Sequence, residues 1–316
     1  MTINTSYLET SQKARIDELL EKDYTITPIP VADQMGLMVF QCTPPERGRR
    51  FYIVPGIENP LPSVTTIVDS TLKNPAIDGW KTSTVTKQLQ KKVGSFLLGD
   101  DIDFIVGETT RIADESIEIG NTMHHIIDCL LNGEEVDIPD YYNPAVAGYF
   151  RWRNYYSHYE WLGSEVAIYD PAGGYAGTVD ALFRDTETEG LVICDWKTSG
   201  GIYVSHLLQL SAYATAFDEM SLEHRIGQVP TEAMVVRMMT DYPKTSEERI
   251  SKKTGKAYKA KVRVPDSKKF FTGKVQSMLI DRTIYDPAFE HLQNLYNSLP
   301  TDTVVRQQLR EWAKVF

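Results

Sequence analysis

The middle of the chain constrains the fold most strongly, because short apolar segments there alternate with helical patterns. A helix pattern over 142–161 comes first. The strand-like segments lie near 164–170, 175–184, 190–197 and 232–238. A second helix pattern, over 203–220, separates the last two strands, and a crossover helix of that kind joins strands that run in parallel. The sequence therefore predicts an α/β fold with a mixed central sheet flanked by helices.

Polar side chains mark the ends of two neighbouring strands. Gly177-Thr178-Val179-Asp180 lies on one strand, and Asp195-Trp196-Lys197-Thr198-Ser199 ends the next. Because side chains alternate along a strand, Asp195 and Lys197 point to one face and Trp196 points to the other. Asp180 comes from the antiparallel neighbour, where a small register offset brings its carboxylate beside that of Asp195.

This pair of carboxylates favours a divalent metal. Two adjacent carboxylates repel each other, and burying both in ionised form is costly unless a cation lies between them. Mg²⁺ or Mn²⁺ is the natural cation, because both prefer carboxylate, carbonyl and water oxygens. Lys197 would lie close enough to orient a water and to offset charge on a phosphate, which indicates phosphodiester hydrolysis. The alternative is a solvated Asp-x-Lys ion pair of little energetic value.

Two helical patterns flank these strands. Gln209 and Tyr213 are four residues apart and share one face of the 203–220 helix, where a buried amide must find partners. Upstream, a long helical stretch stops at Asn132-Gly133, a typical end signal. His124 borders the apolar face of that helix, so the sequence leaves open a packed histidine or a metal ligand.

Five motifs in order resemble the RecB-like branch of the PD-(D/E)XK nuclease superfamily, most closely the mitochondrial genome maintenance exonucleases and their phage and bacterial relatives. The motifs are Gly120-x3-His124, Glu165, Gly177-Thr178-Val179-Asp180, Asp195-Trp196-Lys197-Thr198-Ser199 and Gln209-x3-Tyr213. Leu61-Pro62-Ser63-Val64-Thr65-Thr66-Ile67-Val68, followed by Trp80-Lys81, is similar to the N-terminal signature of that subgroup. The similarity extends over about 50–240 and implies a PD-(D/E)XK, restriction-endonuclease-like core.

The resemblance also implies roles for individual residues. The metal ligands would be His124, Asp180, Asp195 and the backbone carbonyl of Trp196. Lys197 would be the catalytic lysine, Gln209 and Tyr213 would contact the substrate or order the site, and Glu165 would support the ligands from behind, with an ordinary strand-end carboxylate as the alternative. Ser63 and Thr65 of the N-terminal signature would contact nucleic acid. The residues over 75–131 read as helices, which in the resembling family help to enclose single-stranded DNA.

One segment is strongly basic although the chain carries a net charge of −10. Residues 244–274 have a net charge of +8, and the remainder therefore carries −18. The pattern predicts a β-hairpin that turns at Gly255. Its candidate nucleic acid contacts are Lys252, Lys253, Lys256, Tyr258, Lys259 and Lys261, because lysines can follow a phosphate backbone while a ring stacks on a base. A solvated charged hairpin is the alternative.

The rest of the chain predicts accessory elements of one composite domain. A short amphipathic helix is expected over 9–22, a hairpin over 35–54, and helices over the last fifty residues. The expected parts are an N-terminal hairpin and helices (1–105), the nuclease core (106–243), the basic hairpin (244–274) and C-terminal helices (275–316).

Composition excludes several classes of protein. With 42% hydrophobic residues a large core is expected, yet no apolar stretch approaches the eighteen or so residues of a membrane helix. The acidic N-terminus resembles neither a secretory signal nor a transit peptide, so a cytoplasmic protein is expected, in the host cytoplasm if it is viral. Cys42, Cys129 and Cys194 match no zinc or disulfide spacing and are too few for the four-cysteine iron–sulfur cluster of some RecB-like nucleases.

These observations predict a metal-dependent deoxyribonuclease. By resemblance it would be an exonuclease that acts on single-stranded DNA with a free end in repair, recombination or replication. A structure-selective or flap endonuclease would use the same site, and a catalytically silent module that binds DNA ends is the more distant alternative.

Overall fold

A computed structural model describes residues 8–31, 37–45, 48–72, 75–91, 99–224, 231–251, 255–264 and 268–298. The helices of these residues are α1 (Thr10–Glu21), α2 (Val64–Thr71), α3 (Pro75–Lys91), α4 (Gly99–Asn132), α5 (Asn143–Tyr155), α6 (Val204–His224) and α7 (Arg282–Ser298), with a 3-10 turn at Asp140–Tyr142. The strands are β1 (Thr25–Pro30), β2 (Met38–Thr43), β3 (Phe51–Ile53), β4 (Leu61–Pro62), β5 (Tyr159–Asp170), β6 (Tyr175–Asp185), β7 (Leu191–Lys197), β8 (Glu232–Asp241), β9 (Lys244–Ile250), β10 (Ala257–Arg263) and β11 (Phe270–Leu279).

The central sheet has five strands in the order β11-β8-β7-β6-β5. Strands β7 and β8 are parallel, and α6 makes the crossover between them, whereas the other neighbours are antiparallel. The apolar run of β7 explains its central place, since Val192, Ile193 and Cys194 are all buried. The predicted mixed sheet flanked by helices is confirmed.

Helices cover both faces of this sheet. On one face α6 packs with α2, α7 and the N-terminal strands around Leu210 and Val235. On the other face, α5 and the C-terminal half of α4 pack around Trp196, whose ring lies 5.3 Å from that of Trp152, between ring centroids. Trp196 therefore points away from α6, as the strand alternation predicts.

The N-terminal elements form a smaller layer beside the central sheet. Helix α1 packs on a four-stranded sheet in the order β1-β2-β3-β4, which confirms the helix over 9–22 and the hairpin over 35–54 within the described residues. Two isolated bridges, Val31 to Ala167 and Ser63 to Ala176, connect this layer to β5 and β6. The N-terminal sheet is thereby held against the two strands that carry Glu165 and Asp180.

Two predicted boundaries are wrong. The helix expected over 142–161 ends at Tyr155, because Tyr159 is already paired with Asp185 at the start of β5. The last fifty residues are not all helical, since 270–279 form β11 and pair with β8, where the buried side chain of Phe271 packs against the α5 face. Helix α7 agrees with the prediction, and residues 299–316 lie outside the described residues.

The other predicted elements are present. Helices α3 and α4 cover the described part of 75–131, as expected, although the expected division at 105/106 falls inside α4. Strands β9 and β10 form the basic hairpin, with Lys244 opposite Arg263. None of the described helices combines the length and apolar character that crossing a membrane requires.

Candidate active site

The candidate site lies where β6 and β7 separate. Their backbone ladder runs from Arg184 opposite Leu191 to Ala181 opposite Cys194 and stops there. Beyond it, Oδ2 of Asp180 accepts a hydrogen bond of 2.8 Å from the backbone N–H of Trp196. A side-chain carboxylate thus takes the place of a backbone acceptor and is fixed between the two strand ends.

His124 reaches the same point from α4. The helix comes close to the end of β7 at Gly120, where a Cβ atom would lie 3.5 Å from Oγ1 of Thr198. One turn later, Nε2 of His124 lies 2.7 Å from the carbonyl oxygen of Trp196, and Nδ1 lies 3.5 Å from Oδ2 of Asp180. His124 therefore faces the site, as the ligand interpretation requires.

Glu165 completes a group of three ligand atoms. Its neighbours in β5 pair with Ala181 and Val179, so Glu165 lies opposite Asp180. Ligand atoms of His124, Glu165 and Asp180 all lie within 4.8 Å of one another. Glu165 has a φ of 50°, a left-handed conformation that is costly for a residue with a Cβ atom and often accompanies function. The sequence assigned this residue a supporting role only, but it lies as close as the expected ligands.

Asp195 and Lys197 share one face of β7, as predicted. The ammonium nitrogen of Lys197 donates to Oδ1 of Asp195 at 2.8 Å. It also lies 2.6 Å from Oδ2, but at an angle that makes no hydrogen bond, so this buried oxygen has no donor among the described residues. Asp195 is 2% exposed and is not one of the three clustered ligands.

His124 and Asp180 shift each other's pKa in opposite directions. Burial opposes a charge on His124, but the carboxylate of Asp180 outweighs it and raises the pKa of His124 to about 9. Burial would also raise the pKa of Asp180, but the charges of His124 and Lys197 and the N–H of Trp196 hold that pKa below its usual value. Without a cation the imidazole therefore favours its protonated form, with one ring nitrogen toward Asp180 and the other toward the carbonyl of Trp196.

Burial raises the pKa of the two remaining carboxyl groups. Loss of hydration and the charge of Asp180 raise the pKa of Glu165 to about 7, although its side chain keeps an exposed surface. Burial raises the pKa of Asp195 to about 6, against the opposing charge of Lys197. Burial lowers the pKa of Lys197, but the negative charges of Asp195 and Asp180 have the larger combined effect and raise it. Three carboxyl groups thus meet two cationic side chains, His124 and Lys197, and a bound cation would balance the remaining negative charge when all are ionised.

The donors present fit a hard divalent cation. An imidazole, two carboxylates and a backbone carbonyl converge, and Mg²⁺ or Mn²⁺ accepts such oxygen-rich sets. The residues that could hold it are His124, Glu165, Asp180 and the carbonyl of Trp196. Asp195, with its hydrogen bond to Lys197, lies beside them.

Gln209 and Tyr213 contact each other on α6, as their spacing predicts. Nε2 of Gln209 donates to the hydroxyl of Tyr213 at 2.8 Å. The ring of Tyr213 lies against Gly177, where a Cβ atom would come within 2.4 Å of the ring. This contact gives a physical reason for glycine in the Gly177-Thr178-Val179-Asp180 motif.

Several polar residues near the site escaped the sequence analysis. The hydroxyl of Tyr52 lies 3.0 Å from Oγ1 of Thr178, and both contact Oε1 of Gln41. The strand alternation of β2 and β3 could have marked these side chains as facing another layer, but not which layer. The buried Arg237 was also missed, although a single charge within the apolar run of β8 is a recognisable signal.

The guanidinium of Arg237 holds the loop after β7. Its Nε and Nη2 atoms donate to the carbonyls of Ser199 and Gly200, at 2.8 and 2.7 Å, and Nη1 donates to Gln276 at 3.1 Å. Arg237 also pairs with Lys197 in the parallel ladder. It is therefore one of the residues that fix where Lys197 and the start of α6 lie.

The predicted nucleic acid contacts are only partly described. Ser63 is buried, and its hydroxyl caps α2 by accepting the N–H of Thr66, which leaves it little access to a ligand. Thr65 is half-buried, with its hydroxyl 2.8 Å from that of Ser63. Lys256, Lys259 and Lys261 are exposed on the hairpin, with Lys259 and Lys261 on one face of β10. Lys252 and Lys253 lie outside the described residues, as does the side chain of Tyr258.

No protein-family model matches this chain, and a search of curated proteins finds no relative. Function must therefore be inferred from the chemistry of the site.

Proposed function

We propose that the protein is a divalent-metal-dependent deoxyribonuclease. One observation carries the proposal: His124, Glu165 and Asp180 converge where β6 and β7 separate, and the Asp195–Lys197 pair lies beside them on β7. A histidine, three acids and a lysine at the end of a mixed sheet match the chemical needs of phosphodiester hydrolysis. The resemblance to the PD-(D/E)XK nucleases rests on these same residues.

Each residue has a distinct task in this proposal. A divalent cation, when bound, would supply Lewis-acid activation of the phosphate and of a water. His124, Glu165, Asp180 and the carbonyl of Trp196 would hold it. Lys197 keeps its proton, because Asp195 and Asp180 raise its pKa, so it acts as a hydrogen-bond donor to the phosphate and not as a base.

The finer assignment is an exonuclease on single-stranded DNA ends, acting in the cytoplasm in repair, recombination or replication. It is supported by the motif resemblance alone, because a site of this kind serves many substrates. The exposed lysines of the β9–β10 hairpin add a surface that can attract a polyanion to a chain of net charge −10.

A cleavage time course on end-labelled DNA tests the proposal. Linear and circular single-stranded DNA of the same sequence are incubated with Mg²⁺, Mn²⁺ or EDTA, with Lys197→Ala as the control protein. Loss of the linear DNA alone, dependent on metal and on Lys197, is the expected result. Cutting of the circle would favour the endonuclease, and binding without cleavage under every metal would favour the silent module.

A further inference from the structure

The N-terminal sheet contributes a small polar group beside the candidate site. The hydroxyl of Tyr52 and Oγ1 of Thr178 lie 3.1 and 3.4 Å from Oε1 of Gln41. Nη1 of Arg50 lies 3.4 Å from the same oxygen. We call Gln41, Arg50, Tyr52 and Thr178 the β2–β3 polar group. It joins the accessory sheet to the strand that carries Asp180.

The position of this group relative to Asp180 follows from strand geometry. Thr178 and Asp180 are two residues apart on β6, which separates their Cα atoms by about 7 Å. That separation is comparable to the spacing of neighbouring phosphates along a nucleic acid strand.

The side-chain amide of Gln41 is held through its oxygen, and its NH₂ group makes no hydrogen bond to the described residues. A guanidinium can only donate, so the atom of Gln41 that faces Nη1 of Arg50 is the oxygen Oε1, and Nε2 is the free end of the amide. Nε2 of Gln41 has no acceptor among the described residues. Its two N–H groups are therefore available to a ligand that offers oxygens.

Arg50 differs from the other cations of the site. Lys197 is paired with Asp195, and His124 with Asp180. Arg50 is exposed, and within the described part of the chain no carboxylate pairs with its guanidinium. A guanidinium presents paired N–H donors that match the oxygens of a phosphate.

We propose that Arg50 and Gln41 bind a phosphate of the substrate strand adjacent to the one that is cleaved. The inference rests on the proposed function for the identity of the substrate and extends it to a binding position on the accessory sheet. The site at Asp180 cleaves one phosphodiester, and the β2–β3 polar group holds its neighbour. Accurate placement of the strand then depends on the contact between β3 and β6.

Binding measurements with single-stranded oligothymidylate test this position. The full chain carries Lys197→Ala, so that the DNA stays intact, and affinity is measured by fluorescence anisotropy at several salt concentrations. Arg50→Ala should weaken binding about tenfold and reduce the slope of log affinity against log salt by about 0.7, the value for one phosphate contact on a single strand. Arg50→Lys should restore the slope but not the full affinity.

A matched control and a modified DNA make the test specific. Arg15→Ala removes one exposed arginine from α1 of the same layer and should leave affinity and slope unchanged. A series of oligonucleotides carries an uncharged methylphosphonate at each linkage in turn. At one position the modification should weaken DNA binding by the parent protein but not by the Arg50→Ala variant. If Arg50→Ala behaves as Arg15→Ala does, the inference is wrong. If the chain with Lys197 intact fails to hydrolyse DNA while the Arg50-dependent binding persists, only the proposed nuclease activity is contradicted.

Discussion

Oδ2 of Asp180 and the backbone N–H of Trp196 are joined by a hydrogen bond of 2.8 Å, at the last point of contact between β6 and β7. The same peptide segment presents its carbonyl to His124 at 2.7 Å. One residue of β7 thus fixes both an acid and an imidazole through its backbone alone. The geometry of the candidate site is therefore set by the separation of two strands, while the side chain of Trp196 anchors β7 in the opposite core.

Replacing Lys197 should separate catalysis from binding. Lys197→Met keeps the apolar stem but removes the charge that faces the phosphate, so the cleavage rate should fall by roughly 10²–10³-fold or more, while affinity for DNA changes little. Rates and binding constants on the same oligonucleotide provide the measurement. A cleavage rate within tenfold of the parent protein would contradict the role of Lys197.

The same variant leaves Asp195 buried without its partner, so its stability needs a control. The double variant Lys197→Met/Asp195→Asn removes both charges and should recover much of any stability that the single variant loses. Recovery of stability without recovery of cleavage would show that Lys197 acts on the substrate and not only on the fold.

The metal-free protein should lose stability as pH rises from about 5 to 9. The folded-state pKa values of Asp195, Glu165 and His124 are raised to about 6, 7 and 9, so the folded state holds more protons than the unfolded state in this window. Stability present below the unfolded pKa of each group is lost as pH rises through the folded value. The expected loss in unfolding free energy is of the order of 2 kcal/mol, mainly from buried Asp195 and His124, because exposed Glu165 is screened.

Denaturant unfolding in EDTA at several pH values measures this slope. Addition of Mg²⁺ or Mn²⁺ should reduce it, since a bound cation replaces the protons, and should stabilise the protein more at pH 8 than at pH 6. His124→Asn should remove the part of the slope above pH 7. A metal effect that is independent of pH would argue against ligation by these three residues.

The sequence predicts the core of this fold better than its borders. The alternation of β7 places Asp195 and Lys197 together and sends Trp196 to the other face, because strand periodicity is a local property. The formation of β11 does not follow from a local pattern, because its sequence is compatible with either a helix or a strand. Its pairing with β8 makes it a strand. The end of α5 is likewise decided by the pairing of Tyr159.

The site shows the same limit. Spacing and resemblance bring His124, Asp180, Asp195 and Lys197 to one place, but they do not give the left-handed backbone that turns Glu165 toward Asp180. Nor could they give the position of Gln41 and Tyr52, which depends on contacts between residues more than a hundred positions apart. Motifs identify the chemistry, and tertiary packing determines which further groups surround it.

Gly177 should not tolerate a side chain. In Gly177→Ala the new Cβ atom would meet the buried ring of Tyr213 at 2.4 Å, so the ring or β6 must move. A loss of about 1–3 kcal/mol in unfolding free energy is expected, as for other overpacked cores. Gly107→Ala, where no atom lies within 4 Å of the added Cβ, is the matched control and should be neutral or slightly stabilising. Equal stability of the two variants would contradict the contact.

Arg237 should position the loop after β7 without touching the substrate. Its guanidinium is buried and donates to the carbonyls of Ser199 and Gly200, so Arg237→Met would leave those acceptors unpaired. The unfolding free energy should fall by about 1–3 kcal/mol. If the protein is the proposed nuclease, cleavage should slow through kcat with little change in KM, because Lys197 is displaced while the proposed DNA contacts on other elements remain.

Arg237→Lys, which keeps the charge but cannot span both carbonyls at once, should recover only part of the activity. Arg184→Met removes an exposed arginine from the far end of β6 and should change neither the unfolding free energy nor kcat. Hydrogen exchange of 199–203 supplies a reading that does not depend on catalysis, and it should accelerate in Arg237→Met alone. Unchanged exchange with a reduced kcat would mean that Arg237 acts through its charge and not through the loop.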